Sequence, residues 1–406
     1  MTSRTAGGCR SCGTLTVVRV LDLGDQPVAD ELCADAASAV AAPRHPLSLG
    51  ACQRCGLVQL DPSTPIVPNA THGHGSAFSG TVLEHEHRWA EELLALPNLS
   101  RPARVLDVGS ESGGFLRAFR DAGHAVRGWE RDGTLAANAR ASGIPTVQLD
   151  GNRHREPGQY DLVLVNHTLS HADDLDGAVR SLSDVLAPDG VLAVEFHSAL
   201  GILEDGQFDV ICHAHRSYLS LTALTAAFDR HGLVVLRAWP LPLHGGVIRL
   251  QAARAGVGRR QDGSVTELLA VERVAGLGSA EAWVAVAEQA TRIHQQLYSV
   301  LAAHRRAGRT VAGYGAPSRG TTLLNYCGLG SAEVPRTADR SPLKQNHFLP
   351  GAAIRVCTPE ELFVDRPDVL LVLVWPLRNE VLLQLADLRD AGTRFLFPLP
   401  EPEEVT

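Results

Sequence analysis

No stretch of the chain stays apolar for the roughly 18 to 20 residues that a bilayer span needs. The opening MTSRTAGGCRSC also lacks the apolar core of a secretory signal. A cytoplasmic protein with no membrane partner is therefore expected. No long basic run occurs, and the 406 residues carry a formal net charge of -8. This argues against a nucleic-acid backbone as the main partner, and leaves room for a small anion in a local basic pocket. Short-period repeats are absent as well. The balance of 45% hydrophobic and 20% charged residues is that of an ordinary globular protein. The length exceeds one typical core and predicts two or three domains.

Eight cysteines are present. In a cytoplasmic chain these are metal ligands or buried thiols sooner than disulfides. Cys9-x-x-Cys12 and Cys52-x-x-Cys55 form two knuckles, each followed by a glycine, Gly13 and Gly56. Zn²⁺ favours four tetrahedral thiolates, and each CxxC turn supplies two from one short loop. A structural zinc site is expected at Cys9, Cys12, Cys52 and Cys55. The plain alternative is four buried free thiols; a redox CxxC would need only one pair. Cys33, Cys212, Cys327 and Cys357 are isolated and read as core residues.

The rest of the chain alternates between strand and helix patterns. TVLEHEHRWAEELLAL reads as a helix. ARVLDVG, AVRGWE, YDLVLVN and VLAVEFH read as strands separated by helical segments, among them LDGAVRSLSDVLAPDG with a Pro-Asp-Gly stop. A second set starts near residue 287, with strands at TVAGYGA, VPRTAD, PDVLLVLVW and RFLFPLP. The β-α-β-α order predicts an α/β fold with parallel sheet and helices on both faces. Two separate sheets are expected, one large sheet being the alternative. The predicted partition is a zinc-binding module over 1–70, a cofactor-binding domain over 71–255 and a second Rossmann-like domain over 256–406.

VLDVGSESGG runs from strand through a Gly-rich turn into a helix. Gly109 and Gly113 let backbone approach a ligand, and the helix start offers free N–H groups. About twenty residues on, Glu130 ends the next strand, where a carboxylate can hold both ribose hydroxyls. Asp150-Gly151 falls where an adenine-contacting loop would lie. A glycine motif alone is weak and fits a dinucleotide too. Asp107, Glu130 and VLAPDGVLAVE together favour S-adenosylmethionine, with Ser110 and Asn166 as further contacts. A solvated strand-end carboxylate is the plain alternative for Glu130.

With these motifs in order, the chain resembles the deoxysugar C-methyltransferases, chiefly the 3-C-methyltransferases of antibiotic sugar biosynthesis. The resemblance runs through LDLGDQPVAD and CQRCGLVQL, then FDVICHAHRSYLSLTAL and LPLHGGVIRL, then GYGAPSRGTTLLNYCGLG, KQNHFLPG and VLLVLVWPLRNE. It implies a class I methyltransferase domain between a zinc-binding module and a Rossmann-like substrate domain. It also implies S-adenosylmethionine and structural zinc as cofactors, and a dTDP-linked 4-keto-deoxysugar as small-molecule substrate. The protein would be a monomer or homodimer.

Carried over residue by residue, the family's catalytic base falls on His215. The neighbouring Glu is Ala214 here, the Tyr is Cys212, and His213 is retained. A second family histidine corresponds to His171. A family tyrosine falls near His74, in HGHGSAFSG. Without a carboxylate at Ala214, the partner that orients His215 must come from elsewhere, with His171, Glu195 or His197 as candidates. His213 and His215 could instead only line the cleft. In the last domain GYGAPSRG is a strand-turn-helix start suited to phosphate. Ser318, Arg319 and Lys344 are candidate diphosphate ligands, with Tyr314 beside them; structural glycines in a vestigial turn are the alternative. His244 reads as a packing or hinge residue. Methylation at oxygen or nitrogen, or a repurposed protein that no longer methylates, are the rival functions.

Overall fold

The computed structural model describes residues 7–64, 79–149, 159–256 and 258–406. Three antiparallel strands begin it: β1 (Val17–Pro27), β2 (Arg44–Cys52) and β3 (Val58–Leu60). The second sheet is built from β4 (Arg104–Val108), β5 (Ala125–Glu130), β6 (Thr146–Gln148), β7 (Tyr160–Asn166) and β8 (Leu186–His197). The chain then returns to lend β9 (Ser217–Tyr218) to the edge of the first sheet, beside β3. It re-enters the second sheet as β10 (Leu233–Leu241) and β11 (Val247–Arg254). The second sheet has the order β10-β11-β8-β7-β4-β5-β6. β4 to β8 pair in parallel, and β10 and β11 close that edge antiparallel.

The third sheet holds β12 (Val311–Tyr314), β13 (Arg336–Ala338), β14 (Arg355–Cys357), β15 (Val369–Val372), β16 (Arg394–Phe397) and β17 (Glu403–Val405). Its order is β14-β13-β12-β15-β16-β17, parallel except for β17. Two separate α/β sheets are thus present, and a single large sheet is excluded. One strand crosses the sequence partition: β9 comes from the middle of the chain yet completes the N-terminal sheet. Among the described residues no helix is long and apolar enough to cross a membrane.

Local sequence explains most of the elements. The helix Ala280–Arg306 is capped by Ser279, whose side chain accepts from the Ala282 N–H. His304, Arg305 and Arg306 fill its last turn, where the helix dipole favours positive charge. Its buried stripe, Trp283, Val286, Ala290, Ile293, Leu297 and Leu301, recurs every three or four residues. At about 1.5 Å per residue it reaches roughly 40 Å, packing on both β1 and β12. It begins ahead of residue 287, near which the sequence pattern places the start of the second set.

Two helical runs are interrupted. The one over LDGAVRSLSDVLAPDG stops at Val185, and Leu186 is already extended. Ala187 precedes Pro188, which disfavours the helical region there. The apolar run NEVLLQLADLRDAG forms two short helices, Arg378–Gln384 and Ala386–Asp390, broken at Leu385.

The C-terminal sheet is joined to the rest through the helix Ser318–Tyr326. Arg319 donates from Nε and Nη2 to the two carboxylate oxygens of Asp209, at 2.8 and 2.9 Å, and its guanidinium lies 4.5 Å over the Trp375 ring. Trp375 Nε1 donates to the same carboxylate at 2.8 Å. Asp209 is fully buried. Breaking a buried ion pair from one side leaves an unpaired charge, at a cost of about 3 to 5 kcal/mol. Asp209→Ala is therefore expected to lower the unfolding free energy from denaturant titration by about 3 to 5 kcal/mol; a loss below about 1 kcal/mol would show that the pair is dispensable.

Candidate active site and metal centre

The two knuckles fold alike. Gly13 N–H donates to the Cys9 carbonyl and Gly56 N–H to the Cys52 carbonyl, and both glycines sit at φ 72. That left-handed conformation is the one glycine adopts without penalty. The sulfurs converge, with Cys9–Cys55 at 3.5 Å and Cys12–Cys52 at 3.6 Å, and all four lie within 4.8 Å of one another. Tetrahedral zinc with bonds of about 2.3 Å sets sulfurs about 3.8 Å apart. The Cys9 thiol is pulled down to about 5, first by the Cys55 hydrogen bond, while Cys55 and Cys52 are pushed up. One negative charge is thus shared among close thiols, and a dication would let all four be thiolates. The donor set fits structural zinc.

The candidate cofactor end lies at the C-terminal edge of β4, β5 and β7. Gly109, at φ 81, carries the turn; a Cβ there would meet Thr168 Oγ1 at 2.1 Å. A Cβ on Gly113 would meet Ile144 at 2.9 Å. Glu130 is locked by backbone: Oε2 accepts from Glu111 N–H, and Oε1 from Arg131 and Asp132 N–H, at 2.7 to 2.8 Å. Asp107 Oδ1, Ser110 Oγ and Asn166 Oδ1 are buried with no partner among the described residues. The Asp107 carboxyl is held well above its ordinary value by burial, then by Glu86, Glu111 and Glu130. An acidic pocket with unmet acceptors suits a ligand bearing positive charge and hydroxyl donors. S-adenosylmethionine has both: a sulfonium, an ammonium and a ribose diol. Asp150 lies outside the described residues, so nothing further is said of its contacts.

Beside this edge lies a group of histidines. His171 and His215 pack edge to face, centroids 5.0 Å apart. His215 Nδ1 lies 3.2 Å from the Val210 carbonyl, and His171 Nδ1 lies 3.0 Å from the Ala214 carbonyl. A carbonyl only accepts, so Nδ1 of His215 bears the hydrogen and Nε2 keeps the lone pair. Loss of hydration lowers the His215 pKa, against the opposing charge of Asp30 and the Val210 carbonyl. His244 is lowered to about 3 by burial, helped by His167 and Arg319, and His197 is lowered well below its usual value for the same first reason. These rings are neutral near pH 7. His213 turns the other way. Its Nε2 lies 3.3 Å from the His45 carbonyl in β2, and its ring packs on His45. His74 lies outside the described residues.

Three family models match: a "C-methyltransferase C-terminal domain" over 242–400, a "Methyltransferase domain" over 82–238 and a "Putative zinc binding domain" over 9–66. The C-methyltransferase NovU of Streptomyces niveus is 32% identical over 410 residues, spanning 98% of this chain and 96% of that protein. The chain belongs to the C-methyltransferase family. It is an S-adenosylmethionine-dependent methyltransferase with a zinc-binding N-terminal module. A malonyl-[acyl-carrier protein] O-methyltransferase of Enterobacter lignolyticus is 33% identical over 153 residues, covering 36% of this chain and 61% of that protein. Among solved structures, an S-adenosylmethionine-dependent methyltransferase from Mesorhizobium loti is 17% identical, with a TM-score of 0.36 over 42% of this chain and 100% of that chain.

In this C-methyltransferase the four candidate phosphate-side residues are occupied by protein contacts. Arg319 spends Nε and Nη2 on Asp209 and Nη1 on the His244 carbonyl. Ser318 Oγ donates to Asp30, Lys344 Nζ to the Ala316 carbonyl at 2.8 Å, and Tyr314 hydroxyl to Gln384 at 3.0 Å. Sequence reasoning overlooked Asp30, Asp209, His85 and His167. Only His167 left a local trace, four residues before His171 at the other end of NHTLSH.

Metal analysis should find one zinc per chain in the wild type and none in Cys52→Ser; a full complement in that variant would contradict a four-thiolate site. Glu130→Ala should weaken S-adenosylhomocysteine binding at least about tenfold, the loss of one charge-assisted hydrogen bond. An unchanged Kd by calorimetry would remove Glu130 from the ribose.

Proposed function

We propose that this enzyme methylates the carbon beside the ketone of a dTDP-linked 4-keto-deoxysugar, with His215 as general base, in the building of antibiotic sugars. The observation that carries the proposal is the Val210 carbonyl on His215 Nδ1. It leaves Nε2 as a neutral acceptor without the carboxylate that Ala214 lacks. A ketone acidifies the neighbouring C–H, and a neutral imidazole can take that proton. The bond's electron pair passes into an enolate. S-adenosylmethionine supplies the electrophilic methyl group when bound. His171 packs on the base and, through the Ala214 carbonyl, holds the loop that presents it. Asp107, Gly109, Ser110, Gly113, Glu130 and Asn166 are assigned to the cofactor; the domain limits remain 1–70, 71–255 and 256–406. The nucleotide is assigned to the third domain near Tyr314, Ser318, Arg319 and Lys344. Because their side chains already hold protein partners, recognition there falls first to backbone N–H groups.

Incubation with S-adenosylmethionine and a dTDP-4-keto-6-deoxyhexose should give a C-methylated product with loss of a ring proton. Methylation only at oxygen or nitrogen would overturn the carbon assignment. His215→Ala should retain cofactor binding and lose about 10² to 10⁴ in proton removal, read as deuterium uptake from D₂O. Uptake at the wild-type rate would remove His215 as the base.

A further inference from the structure

A second histidine at this cleft has a carboxylate partner that His215 lacks. His167 follows β7 directly and sits at φ 56. For a residue with a Cβ this left-handed conformation costs energy and persists only where the surroundings fix it. They do so here. The His167 N–H donates to the Glu195 carbonyl at 2.8 Å, and Thr168 Oγ1 donates to the Val108 carbonyl at 2.9 Å, against the Gly109 turn. The backbone therefore turns the imidazole toward Glu195 and His244. Its Nε2 lies 3.5 Å from Glu195 Oε1, and its ring packs edge to face on His244 at 5.6 Å. The side chain is 32% exposed, whereas Glu195 is 1% exposed.

Glu195 is itself held in a frame. β8 lies between β7 and β11, in a register that pairs Glu195 with Asn166 on one side and Arg249 on the other. Arg249 donates to Glu195 at 2.8 Å and to Glu92 at 2.8 Å, and lies over Trp89 at 4.5 Å. His85 Nε2 contacts Glu195 at 2.8 Å and Arg249 Nη2 at 2.9 Å. Burial alone would raise the Glu195 carboxyl; the neighbouring His167 and His85 rings and the Arg249 charge bring it well below the ordinary range. Glu195 is thus a fixed anion. The charged and titratable groups around His167 are Glu195 and His197 from β8, His85 and Glu86 from the helix Gly80–Leu94, His244 from the turn before β11, and Arg249 behind Glu195. With Nε2 turned to Glu195, Nδ1 is the nitrogen left for a ligand. His171, one turn further along, packs on His215. One short segment thus places a ring that faces a carboxylate, and the base's neighbour, on the same wall.

We infer that His167 is a second catalytic histidine: as an imidazolium, with its Nε2–H toward Glu195, it donates its Nδ1–H to the oxyanion formed when the base removes the ring proton, and Glu195 is its positioning residue. The inference rests on the carbon-methylation proposal above. In the step, the C–H bond breaks and His215 Nε2 gains the proton. The electron pair forms the C=C bond of the enolate, and the carbonyl oxygen takes the negative charge. His167 donates a hydrogen bond to that oxygen. When the carbon gains its methyl group the ketone reforms and His167 keeps its proton. The proton on His215 leaves to solvent, so charge and atoms balance. A preorganised donor at a developing oxyanion is worth about 10² to 10³ in rate.

The test uses His167→Gly, because glycine tolerates the left-handed backbone and leaves a ring-sized gap. The probe is dTDP-4-keto-6-deoxyhexose in D₂O with S-adenosylhomocysteine bound, then with S-adenosylmethionine. Expected are near wild-type S-adenosylhomocysteine binding and melting temperature. Proton exchange and methyl transfer should both fall about 10² to 10³-fold, and added imidazole should restore part of each. Wild-type rates in the variant, a loss that tracks cofactor binding, or a loss that imidazole does not rescue would overturn the role of His167. Should His167→Gly not fold, His167→Asn, which also tolerates positive φ, is expected to lose at least about tenfold; an unchanged rate counts against the role. A wild-type enzyme that neither exchanges nor methylates the probe overturns the acceptor proposal, and this inference with it. An active wild type with an unaffected variant overturns this inference alone.

Discussion

The buried pair between Arg319 and Asp209 sets the geometry on which the cleft depends. It lies under Trp375, where the middle domain meets the third sheet. Asp209 immediately precedes Val210, whose carbonyl fixes the tautomer of His215. The same guanidinium reaches the His244 carbonyl and Gln207. One cation therefore ties together the loop of the proposed base, the turn before β11 and the start of a C-terminal helix. A charge this deep is costly to bury and tolerable only when its partners satisfy it on all sides. Such a junction resists small displacements, and small displacements are what a proton transfer cannot absorb.

The zinc module also braces the chemistry without joining it. Arg10 and Ser11, inside the first knuckle, reach the methyltransferase domain: Arg10 donates to the Asp173 carbonyl, and Arg230 donates to Ser11. Arg216, beside His215, pairs with Asp173 at 3.0 Å, two residues from His171. β9 follows directly and joins the sheet of the zinc module. The module further supplies Asp30, the carboxylate whose field opposes the lowering of the His215 pKa. A metal that fixes two knuckles thereby stiffens loops on the neighbouring domain.

Electrostatics divides the histidines into two kinds. Those enclosed by protein and near Arg319, His197, His215 and His244, are pushed toward the neutral form. His85 and His167 instead face the ionised Glu195. The proposed cofactor end lies next to them, where Glu111 and Glu130 add their charge to the burial that raises Asp107.

Features encoded within short windows were legible in the sequence alone. The knuckle spacing at Cys9, Cys12, Cys52 and Cys55 announces a four-thiolate site, because two CxxC turns need only come together to make it. The strand–turn–helix at Asp107 to Gly113 and the strand end at Glu130 were legible as elements, because those positions follow from local geometry. What a charged side chain does with its donors was not legible. Arg319, Ser318 and Lys344 stand in a phosphate-like turn, yet their partners Asp209, Asp30 and Ala316 come from three places in the chain. Arg319 and Asp209 are 110 residues apart in sequence. The replacement for the carboxylate missing at Ala214 was hidden for the same reason, since it is a backbone carbonyl, which every residue carries. Only the packing of three sheets decided which carbonyl meets His215 and which carboxylate meets His167.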